Sequence, residues 1–174
     1  GQALWPQTIE TTSRVEVSSN KPYVLDELTL PTDNPWHSWI RPTGFDFFAD
    51  GTRAAVCTWN GDVWVVSGIG SKPEKLTWKR FAAGLYEPLG LRIVKDVVYA
   101  TCRDQIVRLH DVNDDGEADF YECFNNDGVV SANYHGFAME LQTDATGNFY
   151  YTRCGQKMSP ELPLTGSLIR VSPD

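Results

Sequence analysis

No run of apolar residues in this chain approaches the ~18 that cross a bilayer as a helix, and no stretch keeps the 3.6-residue apolar spacing of an amphipathic helix. Membrane-spanning helices and helical bundles are therefore not expected. Basic residues are few and scattered, with 15 Lys and Arg against 23 Asp and Glu and a net charge of −8. Nucleic-acid binding needs clustered Lys and Arg facing phosphates, so no nucleic-acid partner is expected and the acidity reads first as solubility. Cys57, Cys102, Cys123 and Cys154 form no C-x-x-C pair, and no C-x-x-C-H is present. The common zinc spacings and a c-type haem attachment are thus excluded within these residues. A Gly-rich phosphate loop, a G-x-S-x-G elbow and an H-E-x-x-H helix are also missing. No signal peptide is visible, and the opening Gly1-Gln2-Ala3-Leu4-Trp5 reads as a mature or trimmed product.

What the chain has is a pattern that recurs every 46 residues. Gly44-Phe45, Gly90-Leu91 and Gly136-Phe137 each open an apolar strand after a short lead-in. The lead-ins are Arg41-Pro42-Thr43, Glu87-Pro88-Leu89 and Asn133-Tyr134-His135. Further strand-like runs and polar turns follow in the same order, marked by Asp50-Gly51, Asn60-Gly61 and Asp144-Ala145-Thr146-Gly147. Gly and Pro punctuation every ~8–12 residues with no helical period means an all-β chain. A period of this length built from β segments is the sequence signature of a propeller blade.

We therefore expect a partial β-propeller, about three four-stranded blades of a larger ring, over residues 41–174 with repeats starting near 41, 87 and 133. Residues 1–40 read as an N-terminal arm, a strand at Tyr23–Leu30 and a loop holding Trp36 and Trp39. Rings close with ~4–8 blades, and an open arc would leave broad apolar faces uncovered. The segment thus reads as a piece of a longer chain whose remaining blades are its first partners. Trp59, Trp64, Trp78 and Phe81 read as core between blades, with sugar stacking as the alternative. Arg103-Asp104 reads as turn chemistry with a short ion pair.

An even number of cysteines suits an exported protein with two disulfides. Cys57 and Cys102 close corresponding strands of successive repeats, so Cys57–Cys102 with Cys123–Cys154 is the expected pairing; buried free thiols are the alternative. The sharpest local motif runs from Asp111 to Glu122 and fits the calcium-loop spacing D-x-[DN]-x-[DN]-G-x5-E. Oxygens of Asp111, Asn113 and Asp115 can wrap one hard cation, Gly116 permits the sharp turn, and a later carboxylate closes the shell. Glu117, Asp119 and Glu122 complete the candidate ligand set. The flanks read as strands, so the context is not an EF-hand, and a metal-free acidic turn is the alternative.

Tyr134-His135-Gly136-Phe137, followed by Leu141, Asp144, Gly147 and Phe149-Tyr150-Tyr151-Thr152, resembles a blade of the soluble quinoprotein glucose/sorbosone dehydrogenases. Two strings, Gly44-Phe45-Asp46-Phe47-Phe48-Ala49-Asp50-Gly51 and Cys57-Thr58-Trp59-Asn60-Gly61-Asp62-Val63-Trp64, with Arg103-Asp104-Gln105-Ile106, are similar to a narrower group. These are large secreted propeller proteins of planctomycete-type bacteria, often fused to cytochrome c domains. The resemblance implies aspartate-rich calcium loops between blade strands, with the ninth position (Asp119) often closing the shell. It also implies pyrroloquinoline quinone as cofactor, with His135 as the catalytic base that takes a sugar hydroxyl proton; a channel-lining, hydrogen-bonding histidine is the alternative. Arg153, and Lys157 beyond it, follow His135 and are candidates to meet the acidic quinone, although neither matches a family motif.

Two functions follow as expectations. One is part of a periplasmic or secreted dehydrogenase that oxidises a sugar or alcohol and passes electrons to a c-type cytochrome. The other is a non-catalytic, calcium-stabilised propeller serving as a binding or assembly module in a larger extracytoplasmic complex.

Overall fold

The computed structural model describes residues 1–14, 16, 20, 22–70, 74–131, 134–155 and 163–173. Asn133, Lys157, Pro160 and Asp174, which the sequence reading drew on, lie outside the described residues.

The structure is all-β, with twelve strands in three antiparallel sheets among the described residues. In the first sheet, β2 (Pro42–Phe47), β3 (Arg53–Thr58), β4 (Val63–Ser67) and β5 (Lys75–Ala82) run as a meander. β1 (Thr8–Thr12) adds a fifth strand along the free side of β5, in the register Thr8 to Lys79 through Thr12 to Lys75. The second sheet is a four-stranded meander of β6 (Gly90–Val94), β7 (Val97–Thr101), β8 (Ile106–His110) and β9 (Phe120–Asn125). The third sheet contains β10 (Ala138–Thr143), β11 (Phe149–Arg153) and β12 (Ser167–Val171). The sheets do not join into a barrel among the described residues.

The first strands of the three sheets lie against one another in order, β2 on β6 and β6 on β10. The approach is close enough to require glycine. A Cβ on Gly44 would lie 2.9 Å from the Leu91 nitrogen, and one on Gly90 would lie 2.2 Å from the Glu140 carbonyl carbon. The 46-residue period thus works in space through Gly44 and Gly90, whereas the backbone that meets Gly90 is Glu140. The pairing of β10 with β11 shifts between Met139 and Gln142, and Glu140 takes a φ of 65° there. This bulge carries the third repeat away from strict spacing.

Burial follows the β alternation. Phe48, Ala55, Cys57, Val63 and Phe81 of the first sheet pack on Leu91, Val98, Ala100, Val107 and Leu109 of the second. Tyr99 and Ile106 of the second sheet pack on Ala138, Leu141, Phe149 and Tyr151 of the third. Trp64, Val66, Leu76 and Trp78 bury the other side of the first sheet under Ile9, Leu28, Leu30, Trp36 and Ile40. Each such side chain contributes about 1.5–3 kcal/mol on leaving water, so these three clusters dominate the stability of the arrangement.

Two elements differ from the sequence reading. Residues 23–30 form no strand and contribute only an isolated bridge from Arg14 to Glu27, with Leu28 and Leu30 packed down as a strap. The strand instead lies at Thr8–Thr12, where a single apolar residue, Ile9, gives almost no alternation to read. Main-chain pairing to the outer side of β5 holds it there.

All four cysteines are free thiols, which corrects the expected Cys57–Cys102 and Cys123–Cys154 pairing. The Cys57 Sγ lies 3.5 Å from the Thr43 hydroxyl, and the Cys102 Sγ turns toward the Ala100 carbonyl at 4.0 Å. Cys123 is exposed on β9, whereas Cys154 follows β11 in another sheet.

Candidate functional site

Antiparallel pairing decides which loops share an end. Pro42 faces Thr58, Gly90 faces Thr101 and Ala138 faces Arg153. Residues just before β2, β6 and β10 therefore gather with those just after β3, β7 and β11. This end carries His135.

The gathering is aromatic and continuous. The Arg41 guanidinium lies 4.0 Å from the Trp39 ring centre and 5.2 Å from that of Trp59. Trp59 meets Phe137 edge-on at 5.4 Å, Phe137 meets Tyr134 at 6.3 Å, and Tyr134 meets the His135 ring at 5.0 Å. Trp39 is 61% exposed and Tyr134 67% exposed, and His135 is exposed beside them. One row of rings thus runs from the loop before the first sheet to the histidine ahead of the third.

Arg103 anchors the row from below. It is buried, its Nη1 donates to the Glu87 carboxylate at 2.6 Å, and its Nη2 donates to the Tyr134 carbonyl at 3.4 Å. Its guanidinium also lies 5.0 Å from the Phe137 ring centre. The expected turn ion pair is therefore a bridge from Arg103 to Glu87. It ties the lead-in of the second repeat to that of the third, one residue before His135. At the first sheet Asp62 is buried, pairs with Arg80 at 2.6 Å and accepts the Ser38 hydroxyl. Cys154 closes the His135 side: its thiol donates to the His135 carbonyl and accepts from the Phe137 N–H, both at 3.4 Å.

Arg153 does not join this surface. It is 4% exposed and lines a cavity of about 10 Å³ between the second and third sheets. A tricyclic quinone does not fit there. His135 and Arg153 belong to different surroundings, one open and one interior.

The acidic loop lies between β8 and β9 at the opposite end. Asp111 accepts from the N–H groups of Asp115 (3.2 Å) and Gly116 (2.8 Å), and Asp119 accepts from those of Val112 (2.9 Å) and Asn113 (3.3 Å). The turn uses positive φ at Asp114 (57°) and Gly116 (82°). Asp111, Asn113, Asp115 and Asp119 are thus brought together. The Asn113 side-chain nitrogen lies 3.1 Å from Asp115 Oδ2, 3.4 Å from Asp119 Oδ1 and 3.3 Å from the Gly1 carbonyl oxygen.

Glu117 and Glu122 point elsewhere. Glu117 is 5% exposed and accepts from the Leu4 N–H (2.7 Å), the Trp5 N–H (2.8 Å) and Lys79 Nζ (3.1 Å). It clasps the N-terminal segment to β5. Glu122 lies on β9 against His110 Nε2 (2.6 Å) and Arg108 (3.4 Å). Neither side chain reaches the cluster, which corrects their place in the expected ligand set. No group of three or more His, Cys, Asp or Glu is arranged to hold a metal among the described residues.

Titration separates exposed carboxylates from buried thiols. Burial pushes the Cys57 thiol up to about 11, and burial raises Cys102 as well. The Arg53 guanidinium beside Asp50, with backbone N–H groups, holds that carboxyl well below the ordinary carboxylate range. Asn148, then Thr146, do the same for Asp144.

Comparison with protein-family models finds no match, and comparison with curated proteins finds no relative of significant similarity.

Proposed function

We propose that the three sheets are successive blades of a larger β-propeller of the quinoprotein sugar-dehydrogenase type, working in the periplasm or outside the cell. In this reading the His135 end receives a sugar or alcohol, and electrons leave through a c-type cytochrome. The row of rings from Trp39 to His135 carries the proposal. Aromatic faces suit the C–H faces of a sugar ring, Arg41 and Glu87 can bond its hydroxyls, and an imidazole suits proton removal near neutral pH. Arg153 is not a quinone contact on this geometry, so contacts to pyrroloquinoline quinone are assigned to residues outside the described sheets. The test is dye-linked oxidation of a sugar and alcohol panel by the intact protein loaded with quinone and calcium. We expect His135→Ala to lower kcat by about 10²–10⁴-fold; wild-type protein that binds no quinone under those conditions removes this reading.

A second reading, a non-catalytic calcium-stabilised module for binding or assembly, is favoured by one observation. The acidic loop is tied through Asn113 to Gly1, and through Glu117 to Leu4, Trp5 and Lys79, at the end away from His135. That placement braces the fold rather than serving a reacting group. The oxygen donors here are of the type that calcium takes. Oxygens of Asp115, Asp119 and Gly1 converge on the Asn113 amide, and turning that amide over presents a fourth oxygen. Bound calcium would raise stability by mass action, by about 2.7 kcal/mol at a hundred times its Kd. Chelation is expected to lower Tm, and Asp115→Asn to abolish that shift. An unchanged Tm on chelation removes calcium from both readings.

A further inference from the structure

Arg153 poses a problem that the catalytic reading leaves unsolved. A guanidinium taken from water at 4% exposure costs several kcal/mol unless it is paired or bonded, yet Arg153 makes no ion pair among the described residues. It faces the cavity of about 10 Å³ between the second and third sheets. On that cavity wall Thr101 Oγ1 and Asp104 Oδ1 are buried and have no hydrogen-bonding partner among the described residues. Thr101 is only 1% exposed. The opposite wall has room because residue 128 is glycine. A Cβ there would sit 2.8 Å from Arg153 Nη1 and 3.0 Å from the Tyr151 hydroxyl.

We infer that this cavity is a built site for one water molecule, which joins Asp104, Thr101 and Arg153 into a water-separated ion pair across the two sheets. Size decides against larger ligands, since such a space holds one water. Size likewise excludes a polyatomic anion, and the Asp104 carboxylate shares the wall with the guanidinium groups of Arg103 and Arg153. A metal cation is disfavoured by the guanidinium groups in turn. Water alone gives each partner what it lacks: it donates to Asp104 Oδ1 and accepts from Arg153, with Thr101 in either role. Placement gives the bridge a consequence. Asp104 follows Arg103, which holds the Tyr134 carbonyl, and Arg153 precedes Cys154, which holds the His135 carbonyl. The shelf under His135 is thus fixed from two sheets by one buried contact. The site stands independently of any reaction at His135.

A high-resolution crystal structure of the intact protein tests the site directly. We expect one spherical peak at about 2.6–3.2 Å from Thr101 Oγ1, Asp104 Oδ1 and a guanidinium nitrogen of Arg153. An anomalous peak at this position after a bromide soak overturns the assignment, as does clear density for direct contact between Asp104 and Arg153. A thermal double-mutant cycle is the second arm. Asp104→Asn and Arg153→Met should each lower Tm by several degrees, and the double variant by no more than the worse single one. Additive losses overturn the bridge. Thr101→Val, a smaller change that should fold if the others do not, is expected to weaken or displace the peak; an unchanged peak argues against Thr101 as a partner and overturns the three-way site.

Discussion

The two junctions between sheets differ in where their polar groups lie, at the margin of the first and inside the second. Between the first and second sheets the centre is apolar, with Phe48, Val63 and Phe81 against Leu91, Val98 and Leu109 and both thiols sealed among them, and the polar contacts of Asp46 with Arg92 and of Lys79 with Glu117 lie at its margins. Between the second and third sheets an apolar patch of Tyr99, Ile106, Leu141 and Phe149 shares the junction with Thr101, Asp104 and Arg153. An apolar centre gives stability without directional demand, because burial scales with area. A polar one adds little net stability but accepts a narrow set of geometries. The difference teaches where orientation matters: the polar junction lies directly beneath Tyr134 and His135.

The largest test of this contrast removes apolar volume from the first junction. Leu109→Ala empties a site that is 2% exposed and should cost about 2–5 kcal/mol in urea unfolding. If the cost falls below 1 kcal/mol, the first two sheets do not share the core described here.

A second test compares the two glycine contacts along the first strands. Gly90→Ala drives a Cβ to 2.2 Å from Glu140 backbone carbon, whereas Gly44→Ala meets Leu91 nitrogen at 2.9 Å. We expect Gly90→Ala to cost about 1–3 kcal/mol, the overpacking range, and Gly44→Ala to cost less. Equal costs would mean that the third sheet is not held against the second at Glu140.

These contacts also mark how far the amino-acid pattern could be read. The turns at Asp50-Gly51, Asn60-Gly61 and Asp144-Ala145-Thr146-Gly147 were legible, and they join β2 to β3, β3 to β4 and β10 to β11, because turn chemistry and strand alternation agree there. Gly44 and Gly90 were legible as a period, since a backbone-to-backbone approach excludes every other residue. The bulge at Glu140 was not, because nothing in Met139-Glu140-Leu141-Gln142 announces an extra residue in the ladder. At the acidic loop, spacing found Asp111, Asn113, Asp115 and Asp119 together. It also nominated Glu117 and Glu122, whose directions depend on Leu4, Trp5 and His110, partners remote in sequence or on the neighbouring strand. Arg153 was misread for a related reason: a sequence does not say whether an arginine faces a channel or a cavity.

A third test uses the sealed thiols. Because burial holds Cys57 protonated up to about 11 from an ordinary 9.0, the folded chain keeps that proton more tightly than the unfolded chain. The contribution is complete below pH 9 and is lost as the pH rises from there through 11. At pH 10 the loss is on the order of 1 kcal/mol, and Cys102 acts in the same direction. Cys57→Ala should flatten this alkaline decline relative to the wild type, whatever its effect at pH 7. Native alkylation should label exposed Cys123 and leave Cys57 and Cys102 unmodified until denaturant is added.

The smallest expected effect lies at the surface, in the turn between β10 and β11. Asp144 accepts from Thr146, Asn148 and the Tyr150 hydroxyl at 2.8–3.0 Å, which organises the turn between β10 and β11. Its carboxyl is held below the ordinary range, so its stabilising share is present above the unfolded value near ~3.9 and is lost as pH falls through the lower folded value. The group is open to solvent, where such contacts are screened. Asp144→Asn should therefore leave the neutral-pH Tm almost unchanged and remove part of the acid limb of the stability curve. If it instead lowers the neutral Tm as much as Gly90→Ala does, the third sheet depends on its turn rather than on its junction, and the contrast drawn between the two junctions fails.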